Sequence, residues 1–300
     1  MKIDKQNGNV AFDNESHTYW NLDDNRRYIS VTTLIHKYTQ EFDKEFWSAY
    51  KALEKLLPKE SWDIEKKSLL NTKKFHKEIL DTYNISESEF NKAQQDILDA
   101  WDEENRKSCE RGTKIHEEIE HSFYDNPKDI SLQKFGLGGK FECKKDYSEL
   151  DLEYGVYPEY LIYRESDDGI LRIAGQVDLI VKQGNEITII DHKTNKKIDQ
   201  KSGFDSATKS STKMKFPLNN LMDCNFYHYT LQLSTYAWML QKIHPEFIIK
   251  DLIINHYDHK GNNTLYHCEY LRHDVEKMLY HYKKELILNE QRAKRKRIEY

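Results

Sequence analysis

The stretch GQVDLIVKQGNEITIIDHKT, residues 175–194, constrains this chain more than any other. Two runs rich in Ile, Val and Leu, residues 171–182 and 186–191, flank Gly184-Asn185. Such runs read as strands, and Gly-Asn between them is a two-residue hairpin signal. With that turn Gln183 faces Glu186, the numbers of every facing pair sum to 369, and Asp178 faces Asp191. Opposed residues on one face have Cβ atoms about 4.5–5.5 Å apart. Lys193 lies two residues past Asp191, on the same face. An odd-length loop would slip the register and send Asp178 to the other face.

Two ionised carboxylates about 5 Å apart repel by roughly 3 kcal/mol at an effective dielectric near 20. Burying either one costs several kcal/mol unless it is paired. A shared proton or a cation relieves this, and carboxylate sites suit Mg²⁺ or Mn²⁺. The ordinary alternative is a pair of edge-exposed aspartates near a turn. The lysine on the same face and the motifs below weigh against it.

In RGTKIHEEIEHSF, residues 111–123, Ile115, Ile119 and Phe123 recur at i, i+4 and i+8, the mark of an amphipathic helix. Thr113 is its candidate N-cap. His116 lies beside the apolar stripe, one turn before Glu120. A lone histidine there is ordinarily a packed core residue. In LQLSTYAWML, residues 231–240, Leu233, Tyr236, Ala237 and Leu240 make a packing face, and Gln232 and Tyr236 share a side at i, i+4. Glu159, in the strand-like VYPEYLIY, is a further acidic candidate.

Taken in order, G-x-x-D-x-I, a turn, and I-I-D-x-K-T resemble the core of the PD-(D/E)XK nucleases in their RecB-type branch. RGTKIHEEIEHSF resembles the upstream G-T-x-x-H helix of that branch, and LQLSTYAWML its downstream Q-x-x-x-Y helix. The run HTYWNLDDNRRYISVTTLIHKYTQEFDKEFW resembles the S-V-T-x-x-L opening of phage-type exonucleases and of the mitochondrial genome-maintenance exonuclease. Residues 51–110 match no pattern. D-x-K alone is a common accident; four features in order are specific. The resemblance implies that Asp178 and Asp191 bind Mg²⁺ or Mn²⁺ together with His116 and the backbone carbonyl of His192. Lys193 would orient the attacking water, and Gln232 and Tyr236 would stand beside the site.

Only 38% of the residues are hydrophobic and 32% are charged, so much of the chain is solvated helix surface. No apolar run of membrane-spanning length occurs, and the N-terminus MKIDKQNGNV lacks an apolar signal core. Cys109, Cys143, Cys224 and Cys268 are widely spaced. They argue for reduced thiols and a cytoplasmic protein, in the host cytoplasm if phage-encoded. They lack the clustered spacing of the iron-sulfur members of the branch. The net charge of −5 speaks against nucleic acid until its distribution is considered. From Lys193 to Lys215 seven lysines meet two aspartates, and AKRKR, residues 293–297, is a second basic patch. Beside a metal site, Thr194, Lys196, Lys197 and Lys201 read as a mobile DNA clamp.

The periodicity predicts a hairpin over 9–31, helices over 32–125 broken at Pro58 and 84–86, and a loop over 126–150. Strands follow near 154–164, 169–182, 186–192, 249–257 and 264–270, with helices over 222–243 and 272–295. This is an α/β chain: a mixed sheet flanked by helices, a restriction-endonuclease-like core, read as one nuclease domain over 1–300. Residues 35–110 form a helical insertion and 111–290 the catalytic core. The functional expectation is a Mg²⁺-dependent exonuclease acting on single-stranded DNA or DNA ends in recombination, repair or replication. A structure-specific endonuclease and a non-catalytic DNA-binding module are the alternatives.

Overall fold

The computed structural model describes residues 3–75, 77–144, 152–205 and 210–298. It divides into two compact units. One comprises Met1–Thr39, Lys114–Ser202 and Lys213–Tyr300; the other comprises Gln40–Thr113 and Gly203–Thr212.

The chain opens with four short antiparallel strands, β1 (Lys5–Asn7), β2 (Val10–Asp13), β3 (Thr18–Asn21) and β4 (Arg27–Ser30). A single hairpin was expected over 9–31. The Asp23-Asp24-Asn25 turn is present, and a further turn follows β2, where Asp13 Oδ1 accepts the amides of Glu15 and Ser16. Ser30 then caps α1 (Val31–His36), its Oγ accepting the Thr33 amide at 3.0 Å.

The helical unit contains α2 (Lys44–Leu56), α3 (Lys59–Thr72), α4 (Glu78–Thr82) and the first part of α5 (Glu87–Asp125). Its own core gathers Phe46, Leu53, Trp62, Leu69 and Phe90, with Phe75 and Phe90 stacked at 4.8 Å. Helix α5 runs unbroken for 39 residues, so Thr113 is an interior residue and not an N-cap. Gly112 costs about 1 kcal/mol relative to Ala, too little to stop a helix with strong formers on both sides. From Lys114 onward α5 belongs to the sheet-bearing unit.

Next come β5 (Ile130–Leu132) and β6 (Leu137–Phe141), an antiparallel pair in a stretch read as loop because its glycines hide the alternation. Residues 145–150 of that stretch lie outside the described residues. Strands β7 (Gly155–Glu165), β8 (Arg172–Gln183) and β9 (Glu186–Lys193) follow, then the two-residue strands β10 (Phe204–Asp205) and β11 (Ser210–Ser211). Helix α6 (Asn225–Ile243), β12 (Ile248–Tyr257), β13 (Asn263–His267) and α7 (Arg272–Ile298) complete the chain.

The main sheet is mixed. Its order is β1-β2-β3-β4-β8-β9-β12-β13, with β7 paired to β8. Isoleucines and leucines on one face meet α1, α6 and α7: Ile180, Ile187, Ile189 and Ile254 cluster with Leu34, Leu231, Leu240 and Val275. The other face, with Leu179, Val181, Ile190 and Ile253, packs against Phe123 of α5 and Phe135, Leu137 and Phe141 around the β5–β6 pair.

Strand β7 covers one whole edge of β8. The other edge is shared: β4 pairs in parallel with Ile173 and Ala174, and β9 pairs antiparallel with residues 179–183. Between them, residues 175–178 have no ladder partner on that edge among the described residues. At the same level the strands turn over. Tyr157 and Tyr160 of β7 pack into one cluster, as do Val177 and Ile180 of β8. Residues three apart in a regular strand lie on opposite faces. The pair that absorbs the change is Glu159 opposite Asp178, the one rung missing from an otherwise continuous β7–β8 register. Glu159 has φ +52 and, among the described residues, is the one non-glycine with positive φ inside a strand.

Candidate metal centre

The hairpin follows the predicted register from Gln183–Glu186 to Leu179–Ile190 and stops one rung short of the aspartates. Because β8 turns over at that point, the two carboxylates serve different partners. Asp178 reaches toward α5: its Oδ2 lies 3.6 Å from His116 Nδ1 and accepts the His192 amide at 2.6 Å. Asp191, 1% exposed, reaches toward α6, where Gln232 Nε2 donates to its Oδ1 at 3.2 Å.

Around Asp178 a chelating group forms. His116, Glu159 and Asp178 each offer a ligand atom, and the three atoms lie within 4.8 Å of one another. Glu159 is also bonded by Gln176 and lies 3.7 Å from Lys5 Nζ. Its left-handed backbone costs roughly 1–2 kcal/mol, the kind of local strain that accompanies functional sites. The His116 ring is oriented by its Nε2, 3.0 Å from the His192 carbonyl. A carbonyl only accepts, so Nε2 carries hydrogen and Nδ1 faces the carboxylates, the arrangement typical of a metal-binding histidine.

The electrostatics agree. Burial alone would lower the His116 pKa, but Asp178 and Glu159 outweigh it and raise it to about 9. Burial pushes the Asp178 carboxyl up; His116 draws it back and Glu159 pushes it further up. Burial lifts Asp191 to about 6 despite the attraction of Lys193. For Lys193 burial acts downward, but Asp191 and Asp178 hold its ammonium above the ordinary lysine range. Without metal, the protonated His116 and Lys193 face these acids, and Lys5 lies beside Glu159.

Lys193 Nζ lies 2.7 Å from Asp191 Oδ2, and 4.7 Å from the ring centre of Tyr229. Asp191 Oδ2 is buried, with the Lys193 ammonium as its charge partner. Two oxygens and an imidazole nitrogen converging beside this buried pair form a donor set that fits a divalent cation. Asp191 itself stands outside the 4.8 Å group.

The other candidates fall into two sets. Gln232 and Tyr236, expected beside the substrate, are 6% and 3% exposed. The Gln232 amide joins Asp191 to the Tyr236 hydroxyl at 3.3 Å. Tyr236 packs where a Cβ on Gly175 would sit, 2.5 Å from its Cε1, which is why the motif begins with glycine. The His192 ring is buried and bonded to Asn255 at 2.9 Å, and burial lowers its pKa to about 3. Its backbone amide and carbonyl bond Asp178 and His116, and its ring lies edge-on to the His116 ring at 6.1 Å. Thr194 is half-buried, whereas Lys196, Lys197 and Lys201 are exposed, with Lys197 paired to Asp199 at 2.8 Å. The basic segment is less free than its composition implied. Ile198 and Met214 are buried, and Asn225 at the start of α6 bonds the backbone of Lys197 and Asp199. Lys209 lies outside the described residues. The sequence gives Lys5 no role at the centre, because a lysine opening a β-meander carries no local signal; Tyr229, one of the aromatics Phe226, Tyr227, Tyr229, Tyr236 and Trp238 expected near the site as candidates to stack bases, instead lies against Lys193.

A family model described as the PD-(D/E)XK nuclease superfamily matches residues 30–250, more than half of the chain. The chain belongs to the PD-(D/E)XK nuclease superfamily. Its mixed sheet flanked by helices is the fold of that superfamily, whose members are metal-dependent nucleases. A solved structure entitled "Crystal structure of SSO0001" is similar at 17% identity and a TM-score of 0.32, over 60% of each chain. At that level it carries no argument. No curated protein matches. Among the described residues no helix is long and apolar enough to cross a membrane.

Proposed function

We propose that this PD-(D/E)XK chain is a RecB-type deoxyribonuclease, an Mg²⁺- or Mn²⁺-dependent exonuclease acting on single-stranded DNA or DNA ends in recombination, repair or replication. The observation that carries the reading is the convergence of His116, Glu159 and Asp178 beside the buried Asp191–Lys193 pair. His116 through Nδ1, Glu159 and Asp178 would hold the cation, with Asp191 and the His192 carbonyl at its margin. Bound there, a divalent cation would supply Lewis-acid polarisation of the scissile phosphate and a more acidic water. Lys193, fixed by Asp191 and the Tyr229 ring, orients that water and offsets charge developing on the phosphate. Gln232 and Tyr236 hold Asp191 in place from behind. Thr194, Lys196, Lys197 and Lys201 supply phosphate contacts at the end of β9.

End-labelled linear and circular DNA, single- and double-stranded, incubated with Mg²⁺, Mn²⁺ or EDTA, tests the reading. The expected result is metal-dependent loss of linear single strands with circles spared. Cleavage of circles at a comparable rate assigns an endonuclease. Absence of cleavage with Mg²⁺ binding intact rejects the catalytic reading.

A further inference from the structure

The residues between β11 and α6 form a loop that lies along α7, and together they enclose a groove of about 550 Å³. None of its residues belongs to the metal centre. The loop is firmly seated: Met214, Leu218 and Leu221 are 2%, 0% and 6% exposed, and Asn220 donates to Asp274 of α7 at 3.1 Å. Yet Phe216, between these anchors, is 70% exposed. It meets His281 in a T-shaped contact, at 5.3 Å and 77°, and most of the ring stays exposed. Across the groove Tyr280 is 63% exposed, with Lys284 Nζ 4.5 Å from its ring centre. His281 is held by the Tyr38 hydroxyl at 3.1 Å.

The charge is one-sided. Lys277 and Lys284 line the groove and, among the described residues, no carboxylate does; the nearest, Asp274, is 9% exposed, bonds Asn220 and lies 3.6 Å from Lys277 Nζ. Lys277 and Lys284 stand seven residues apart on one helix face, about 10 Å along the axis. The same face continues to Arg292 and Arg295, both exposed, in the basic end of α7. Two largely exposed rings, fixed on rigid elements and flanked by ammonium groups, suit a chain that alternates planar bases with phosphates. A folded acidic protein would find the charges but would leave the protruding rings unmatched, and the grooves of duplex DNA offer no base faces.

We propose that this groove is a second nucleic-acid site, which grips single-stranded DNA by stacking bases on Phe216 and Tyr280 and pairing phosphates with Lys277 and Lys284. It rests on the reading of the chain as a DNA-cleaving enzyme and deepens it by assigning a binding surface apart from the metal centre.

The test is fluorescence anisotropy of the full chain with a labelled oligothymidylate in EDTA, so that binding is read without cleavage. Phe216→Ala and Tyr280→Ala are each expected to weaken binding about fivefold or more, and their pairing more than either alone. Lys277→Gln with Lys284→Gln should lower the slope of log affinity against log salt by about 1.4, from about 0.7 for each phosphate lost on a single strand. Phe216, Tyr280 and Lys284 are exposed, so melting should not change in their variants; Lys284→Gln alone, which leaves the Lys277–Asp274 pair intact, controls for the double change. Inorganic polyphosphate, a base-free polyanion, should bind the aromatic variants as well as the unaltered chain. Unchanged oligonucleotide affinity in the aromatic variants would overturn the proposal even if DNA is cleaved normally. Weakening in these variants, in a chain that cleaves no DNA with any metal, would uphold the groove and reject the nuclease reading instead.

Discussion

Replacing Asp191 by asparagine should stabilise the metal-free protein. Asp191 is 1% exposed and its pKa is lifted by burial to about 6, net of the attraction of Lys193. An ordinary aspartate titrates near 3.8. Keeping the carboxyl ionised in the fold therefore costs about 3 kcal/mol at 1.36 kcal/mol per pKa unit. The asparagine amide has the same shape and carries no charge; its Nδ2 must face the Gln232 or the Lys193 donor, which offsets part of the gain, and Lys193 retains the attraction of Asp178. The folded pKa is raised, so the penalty is absent below about 4, grows as pH rises through 6 and is complete above it. In EDTA at pH 8 the variant should melt up to about 10 °C higher, at roughly 2–4 °C per kcal/mol. By pH 5 the gap should shrink to about half. With saturating Mg²⁺ it should close or invert, because the cation binds the unaltered site more tightly and stabilises the state it binds. The assay is a melting series at pH 5, 6, 7 and 8 with EDTA or Mg²⁺. A variant that melts at or below the unaltered chain at pH 8 in EDTA, or a gap indifferent to pH, refutes this account of the site.

Three further outcomes follow from the same geometry. His116→Ala should lower cleavage and shift its metal dependence to higher concentration; a fall in melting temperature with unchanged metal dependence would make His116 a packing residue only. Glu159→Gly should relieve about 1 kcal/mol of backbone strain in the metal-free protein and cost metal affinity, read by melting and by metal titration, whereas Glu159→Gln should lose the affinity without the gain. Gly175→Ala drives a methyl into the Tyr236 ring and should destabilise by about 1–3 kcal/mol in a denaturant titration; a neutral result would show that Tyr236 can move away.

Much of this architecture was legible because the signals were local. Gly184-Asn185 set the hairpin register, and the alternation of Ile187, Ile189 and Ile190 between two packed faces followed from period two. What escaped was set by tertiary context. Thr113 looked like a cap because cap chemistry is local, but α5 continues through it. The β5–β6 pair was masked by glycines. Asp178 and Asp191 were expected to point at each other because alternation was assumed to be unbroken. The face change at Glu159 is a conformation that no propensity of glutamate would suggest. The segment after Lys193 read as a clamp free in solution, yet Ile198 alone is enough to tie its base to the core.

The rung formed by Glu159 and Asp178 also bears on how separable the chemistry is from the framework. All other β7–β8 pairs keep one constant register through it. If both residues were excised together, those pairs would stay matched, and Tyr157 with Tyr160, like Val177 with Ile180, would become second neighbours, as a regular ladder requires of residues that share a face. In musical terms the two acids are an extra beat inserted into both strands at once. A chain shortened by that beat would keep its apolar rhythm, at the expense of moving β4 one step along β8, and would lose the chelating group entirely. The acids that give the site its chemistry occupy the interval at which two strands fall out of phase and back in.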